Sequence, residues 1–188
     1  MRVLIAEDEA LIRMDLREML EEEGHEVVGE ARNGLEALDM ARRLRPDVVF
    51  MDINMPEMSG IEAATEISSE SLSPVVMVTA FSQASYVEEA ANAGAMAYIV
   101  KPFARKDIIP AMQIATSRFA ETRALAEEVV DLSERLATRK VVDRAKGILM
   151  ARGLSEPDAF GRLQKLAMDK RTTIRHVAEA VILAEDAG

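Results

Sequence analysis

Five short apolar runs, at residues 3–6, 26–29, 48–51, 75–78 and 95–100, recur through the first half of the chain with helix-patterned segments between them. Unbroken runs rich in Val and Ile suit strands covered on both faces. In the first intervening segment, Leu11, Met14, Leu16, Met19 and Leu20 are expected to face inward. Arg13, Arg17, Glu18 and residues 21–23 are expected to face solvent, and Gly24 stops the helix. Leu35, Leu38, Ala41 and Leu44 mark a second helix, closed by Pro46. Strands alternating with helices predict an α/β fold, a doubly wound five-stranded parallel sheet, over residues 1–118.

Beyond residue 106 the pattern changes to nearly continuous helix as far as residue 150, with Pro110 tolerable only in the first turn. Leu125, Val129, Leu132 and Leu136 are spaced 4, 3 and 4 apart, a short heptad seam that suits either a dimer or packing back on its own domain. Ser155 and Pro157 open one more helix, with Ala159, Phe160, Leu163, Leu166 and Ala167 as its apolar face. Thr172 or Thr173 can cap a last helix facing inward through Ile174, Val177, Ala178, Val181 and Ile182. The expected division is a domain at 1–118, a helical, coiled-coil linker at 119–137 and a small three-helix domain at 138–186.

Composition excludes several chemistries. There is no Cys, which removes disulfide scaffolds, zinc ribbons and thiol nucleophiles. The two histidines, His25 and His176, are too few for a His-rich metal site and read as surface residues. No apolar run approaches the roughly 20 residues of a membrane span, and a strand-like run with acids close behind opens the chain where a signal peptide would lie. A cytoplasmic protein with no membrane partner is expected. Charge is divided: residues 1–120 hold 11 basic and 21 acidic side chains, whereas 135–175 hold 11 basic and 4 acidic, a net of +7. Such a basic back half suits a polyanion as readily as an ordinary solvated surface.

In an open parallel sheet, chemistry collects at the carboxyl ends of the strands. Here the first strand ends in Glu7 and Asp8, the third in Asp52, the fourth in Thr79 and the fifth in Lys101 and Pro102. Neighbouring strands would bring together three carboxylates, a hydroxyl and an ammonium. Clustered carboxylates repel unless a cation neutralises them. Mg²⁺ suits an oxygen-ligand site that keeps waters and a phosphate oxygen. A carboxylate beside it can attack phosphorus, while Lys101 and Thr79 hold phosphoryl oxygens.

These stretches, LIAEDE at 4–9, MDINMPEMSG at 51–60, VTA at 78–80 and YIVKPF at 98–103, resemble the receiver domain of two-component response regulators over its full length. The resemblance implies a flavodoxin-like fold phosphorylated by a sensor histidine kinase. It implies Asp52 as phosphoacceptor and Glu7 and Asp8 as the acid pair, Glu7 acting through water. Mg²⁺ would sit on Asp8, Asp52 and the main-chain carbonyl of Asn54. Thr79 and Tyr98 match the switch pair, Lys101 the family's lysine, and the Lys101–Pro102 bond would be cis.

The back end resembles the ANTAR domain, an RNA-binding module of transcription antiterminators, through RAKGILMARGLSEPDAF at 144–160, LAMDKRTT at 166–173 and HVAEAV at 176–181. That resemblance implies recognition of paired hairpins in leader transcripts. On the helical wheel of 139–149, Val141, Val142, Ala145, Ile148 and Leu149 share one face, and Arg139, Lys140, Arg144 and Lys146 spread over the rest. Arg162, Lys165, Arg171 and Arg175 are expected to support them in RNA binding. Gly147 would permit close approach of another backbone or a tight helix crossing. Phe160 is placed on the apolar face, so base stacking on aromatics is not expected. The reading is a phosphorylation-dependent, RNA-binding antitermination regulator, not an enzyme. A phosphorylation-dependent homodimer and a DNA-binding or protein-binding output remain open.

Overall fold

The protein is described from a computed structural model covering residues 1–80 and 91–186. It divides into two compact units, Met1–Ala124 and Leu125–Gly188.

The first unit contains β1 (Arg2–Ala6), α1 (Ala10–Glu22), β2 (Glu26–Ala31), α2 (Gly34–Leu44), β3 (Val48–Asp52), α3 (Gly60–Ser69), β4 (Val75–Thr79) and β5 (Ala97–Val100), followed by the start of α4 (Arg105–Ala151). The helix that the alternation calls for between β4 and β5 falls on a segment whose residues 81–90 lie outside the described residues. All strand pairings are parallel, in the order β2-β1-β3-β4-β5. Burial follows this order. From Val3 onward β1 is buried, as are β3 and β4 throughout, while the edge strands β2 and β5 are partly exposed. Leu4, Val49, Met51, Val75 and Met77 pack beneath α2 and α3. Val3, Ile5, Val48, Phe50 and Val76 pack beneath α1 and the first turns of α4.

The inward stripe of α1 differs from the expected one. Leu11 and Met14 are 77% and 63% exposed, whereas Arg13 is only 8% exposed, in phase with buried Leu16 and Leu20. The covered stripe runs through 13, 16 and 20, and Leu11 and Met14 fall outside it. Arg13 is tolerated there because its Nε and Nη1 are engaged. It donates to the Glu7 carbonyl at 2.7 Å and to Glu30 Oε2 at 3.2 Å. Leu35 of α2 is likewise exposed, while Leu38 and Ala41 are buried. Asn33 caps α2 by accepting from the Glu36 N–H at 2.8 Å.

Helix α4 is 47 residues long, and Pro110 lies in its second turn rather than its first. In the second unit its final turns meet α5 (Glu156–Asp169) and α6 (Ile174–Asp186). Val142, Ala145 and Leu149 pack with Ala159, Leu163, Ala167, Val177 and Ala178. Ser155 caps α5 by accepting from the Asp158 N–H, with Pro157 in its first turn. Thr173, not Thr172, accepts from the His176 N–H at the start of α6.

Three expectations for this unit are corrected. Phe160 is 40% exposed, because Ala159 and Leu163 occupy the inward positions beside it. A Cβ at Gly147 would meet nothing within 4 Å, so among the described residues no helix crosses there. The seam residues Leu125, Val129, Leu132 and Leu136 are all exposed, which sets aside packing back on their own domain and leaves the dimer open. Among the described residues no helix is long and apolar enough to cross a membrane.

Candidate functional site

The strand order places the carboxyl ends of β1, β3, β4 and β5 side by side, and the polar residues that terminate them converge. Glu7 and Asp52 are 1% and 5% exposed, Thr79 is buried, and Asp8 is exposed. One carboxylate oxygen each from Glu7, Asp8 and Asp52 lie within 4.8 Å of one another. The Lys101 ammonium reaches into this group, 2.7 Å from Glu7 Oε2 and 2.8 Å from Asp52 Oδ1. That Glu7 oxygen is buried and has no well-directed hydrogen-bond donor, so its contact with Lys101 is an ion pair. Asn54 is exposed, and its backbone N–H donates to Asp52 Oδ2 at 3.0 Å.

Backbone geometry fixes these groups. Lys101 N–H donates to the Thr79 carbonyl at 2.7 Å, Ile53 N–H to Val78 at 3.2 Å and Gly60 N–H to Ile53 at 2.9 Å. The Lys101–Pro102 peptide is cis, as the resemblance implies. Gly60 is irreplaceable on space alone, because a Cβ there would overlap the Asp52 carbonyl oxygen. A capping box between Ser59 and Glu62 starts α3 immediately after this contact.

The electrostatics follow from burial. Burial pushes the Glu7 and Asp52 carboxyls above their ordinary values, and Lys101 offsets part of this for each. Burial pulls Lys101 down, but the two carboxylates outweigh it and hold the ammonium above its usual range. The excess of buried negative charge, all on oxygen, suits a hard divalent cation. Tyr98 lies on the edge strand β5 and is half exposed.

The eight basic residues expected to bind RNA do not gather on one face. Arg139, Lys146 and Arg171 border a groove of about 910 Å³, together with Asp131, Glu134 and Asp143. Lys146 is held there by Asp143 at 3.1 Å and Glu156 at 2.8 Å. Arg162 borders a separate cleft of about 350 Å³. Arg139 pairs with Asp143 and Arg175 with Glu179, while Lys140, Arg144 and Lys165 are exposed. Sequence reasoning missed the role of Arg13 behind Glu7 and the cleft-lining Arg152, Lys170 and His176. Spacing of charges on one helix could not reveal a cleft assembled from three.

Residues 3–113 match the response regulator receiver domain family and residues 130–182 the ANTAR domain family. The chain belongs to the response regulators that carry both domains. It is 59% identical over 182 residues to the transcriptional regulatory protein PdtaR of Mycobacterium tuberculosis, covering 96% of this chain and 89% of that one. Among solved structures, this response regulator is similar to the signal receiver domain of a modulated diguanylate cyclase from Desulfovibrio desulfuricans G20. The TM-score is 0.59 and the identity 29%, with 64% of this chain and 97% of the other covered. It also resembles the CheX–CheY–BeF3–Mg complex of Borrelia burgdorferi, with a TM-score of 0.57 and 28% identity over 63% of this chain and 88% of that one.

Proposed function

We propose that this response regulator is a phosphorylation-controlled antitermination factor that works in the cytoplasm and binds hairpins in leader transcripts. Residues 1–118 act as receiver, 119–137 as helical linker and 138–186 as RNA-binding output. The observation that carries the reading is the cluster of Glu7, Asp8, Asp52 and Lys101 at adjacent strand ends, in a chain that also carries an ANTAR domain.

Asp52 is the acceptor. A carboxylate oxygen attacks the phosphorus of a phosphohistidine on a sensor kinase, the P–N bond breaks, and the imidazole leaves. Lys101 already sits 2.8 Å from Asp52 Oδ1, so it is placed to take a phosphoryl oxygen. Thr79, buried at the end of β4, donates its hydroxyl to another, and Tyr98 on β5 responds to that movement. Mg²⁺ held by Asp8, Asp52 and the Asn54 carbonyl, with Glu7 through water, would neutralise charge on the transferring group. The similarity to the Borrelia CheY complex with BeF3 and Mg supports this cation. The chemistry this cluster supports is self-modification and its hydrolysis rather than turnover of a small molecule.

The output is RNA binding by Arg139, Lys140, Arg144 and Lys146, supported by Arg162, Lys165, Arg171 and Arg175. Phosphorylation favours a homodimer through the exposed seam Leu125, Val129, Leu132 and Leu136. A phosphoryl group must stabilise one state over another to switch anything, and an uncovered apolar seam gives the dimer a reason to form.

Intact-mass measurement after treatment with acetyl phosphate tests the acceptor. One phosphoryl group is expected on the wild type with Mg²⁺, none with EDTA and none on Asp52→Asn. Equal labelling of Asp52→Asn overturns the assignment. Sedimentation of the labelled chain tests the dimer, and an unchanged monomer in both states overturns that part.

A further inference from the structure

The end of α4, α5 and α6 enclose the cleft of about 350 Å³ that Arg162 borders. Its floor is apolar, formed by side chains that include Leu149, Leu166 and Val181. Its rim carries Arg152, Arg162, Lys170 and His176, and no carboxylate is among the residues lining it. Glu185 on α6 takes Arg152 as an ion pair. Arg162 and Lys170 are exposed and have no ion-pair partner among the described residues. The larger groove of the same unit differs, because carboxylates line it, and Asp131 and Asp143 hold its Arg135, Arg139 and Lys146.

His176 adds the group that the sequence reading lacked. Its ring Nδ1 lies 2.9 Å from the Thr173 hydroxyl, which also accepts the His176 backbone N–H. The imidazole is therefore held in place at the rim with its other edge open. Just before it in the chain, α5 ends with Thr172 N–H bonded to the Ala167 carbonyl and Arg171 N–H to Met168. Arg171 takes the left-handed conformation, φ 50°, at the position where glycine is the usual choice. This closure fixes the backbone between Lys170 and Thr172, both of which line the cleft.

We infer that this cleft is where an unpaired RNA loop base enters, with its flanking phosphates on Arg162 and Lys170 and the base stacked against His176. Sequence-specific readers of RNA take splayed loop bases, stack them on aromatic rings, His included, and hold the backbone with cations. A volume near the lower end of ligand pockets, an apolar floor and a rim on which Arg162 and Lys170 are unopposed match one such nucleotide. The inference rests on the RNA-binding reading above and changes its centre, from the exposed basic turns of α4 to a concave site built by three helices.

The test uses the full chain and a fluorescent pool of RNA hairpins with a constant stem and randomised loop, beside the same stem as a loopless duplex. Wild type is expected to bind the looped pool more tightly than the duplex and to enrich particular loops. Arg162→Ala, Lys170→Ala and His176→Ala are each expected to weaken pool binding about tenfold. The two cation variants are also expected to lower the slope of log affinity against log salt by about 0.7. His176→Phe is expected to restore most of the binding lost in His176→Ala, a rescue that separates stacking from a folding defect, with circular dichroism confirming the helices. If the three alanine variants bind the pool as wild type does, or wild type binds looped and loopless RNA equally, the cleft is overturned while RNA binding stands. If wild type binds neither RNA, bare or after acetyl phosphate with Mg²⁺, both readings fall.

Discussion

The two units of the chain treat charge and glycine in opposite ways. In the receiver, Glu7, Asp52, Thr79 and Arg13 are buried, and main-chain bonds between neighbouring loops hold the site in place. In the helical unit the core is, among the described residues, apolar, and the charges stand on its surface or around its clefts. The tightest glycines all lie in the first unit, although Gly24 there also has open space around it. A Cβ at Gly60 would overlap the Asp52 carbonyl and one at Gly34 would lie 2.5 Å from the Met58 carbonyl, whereas Gly147 and Gly161 have nothing within 4 Å. The first unit's chemistry is written into its backbone. The second unit's is written into side chains that can change without disturbing the fold.

The strongest way to break this contrast is Gly60→Ala. Its Cβ has no room beside β3, so a loss of about 4 kcal/mol or more in urea unfolding is expected. A variant as stable as wild type would show that the loop after Asp52 is not locked. Arg13→Ala comes next. It strips the Glu7 carbonyl and Glu30 of a buried partner, and a cost of about 2 kcal/mol is expected in the same assay. A loss below the error of the measurement would place Arg13 among the solvated arginines.

Asp52→Asn sharpens the contrast by running the other way. Burial raises the Asp52 carboxyl in the folded chain, so the native state binds its proton more readily than the unfolded state. Below both values the group has no effect. As pH rises through the unfolded and then the raised folded value, wild type loses stability that the amide variant keeps. In EDTA, Asp52→Asn is therefore expected to melt several degrees above wild type at neutral pH, with the gap closing in acid. A gap that widens on acidification would reverse the assigned sign. The smallest effect is Gly147→Ala, expected to stabilise the helical unit by up to about 1 kcal/mol because the helix gains a better former and nothing lies in the way. Destabilisation would mean that something does pack there.

Much of the receiver was legible because its signals are local. Val and Ile runs mark β1, β3 and β4, and the residue that follows or ends each strand is a site residue. The sheet turns that one-dimensional rule into a cluster. The errors arose where a partner distant in sequence decides burial. Arg13 faces inward only because Glu30 on β2 and the Glu7 carbonyl receive it. The helical period places Leu11 and Met14 inward, but both lie off the stripe through 13, 16 and 20 that is covered. In the helical unit the spacing of Phe160 allowed an inward position, but Ala159 and Leu163 filled that layer. Lys146 looked like a free cation until Glu156, ten residues on, closed over it. His176 carried no signal, because its value depends on Thr173 and on the cleft beside it.

The strand that ends in Asp52 has a paired neighbour on each side, and β2 and β5 have one each. In a deuterium-exchange experiment the amides of β3 are therefore expected among the slowest to exchange, with those of the outer strands opening sooner. A modification at Asp52 then acts on the least yielding part of the sheet. Bending β3 is the most costly response available, and the cheap ones are the side chains at the ends of β4 and β5. Any message written at the centre has to be read at the margin.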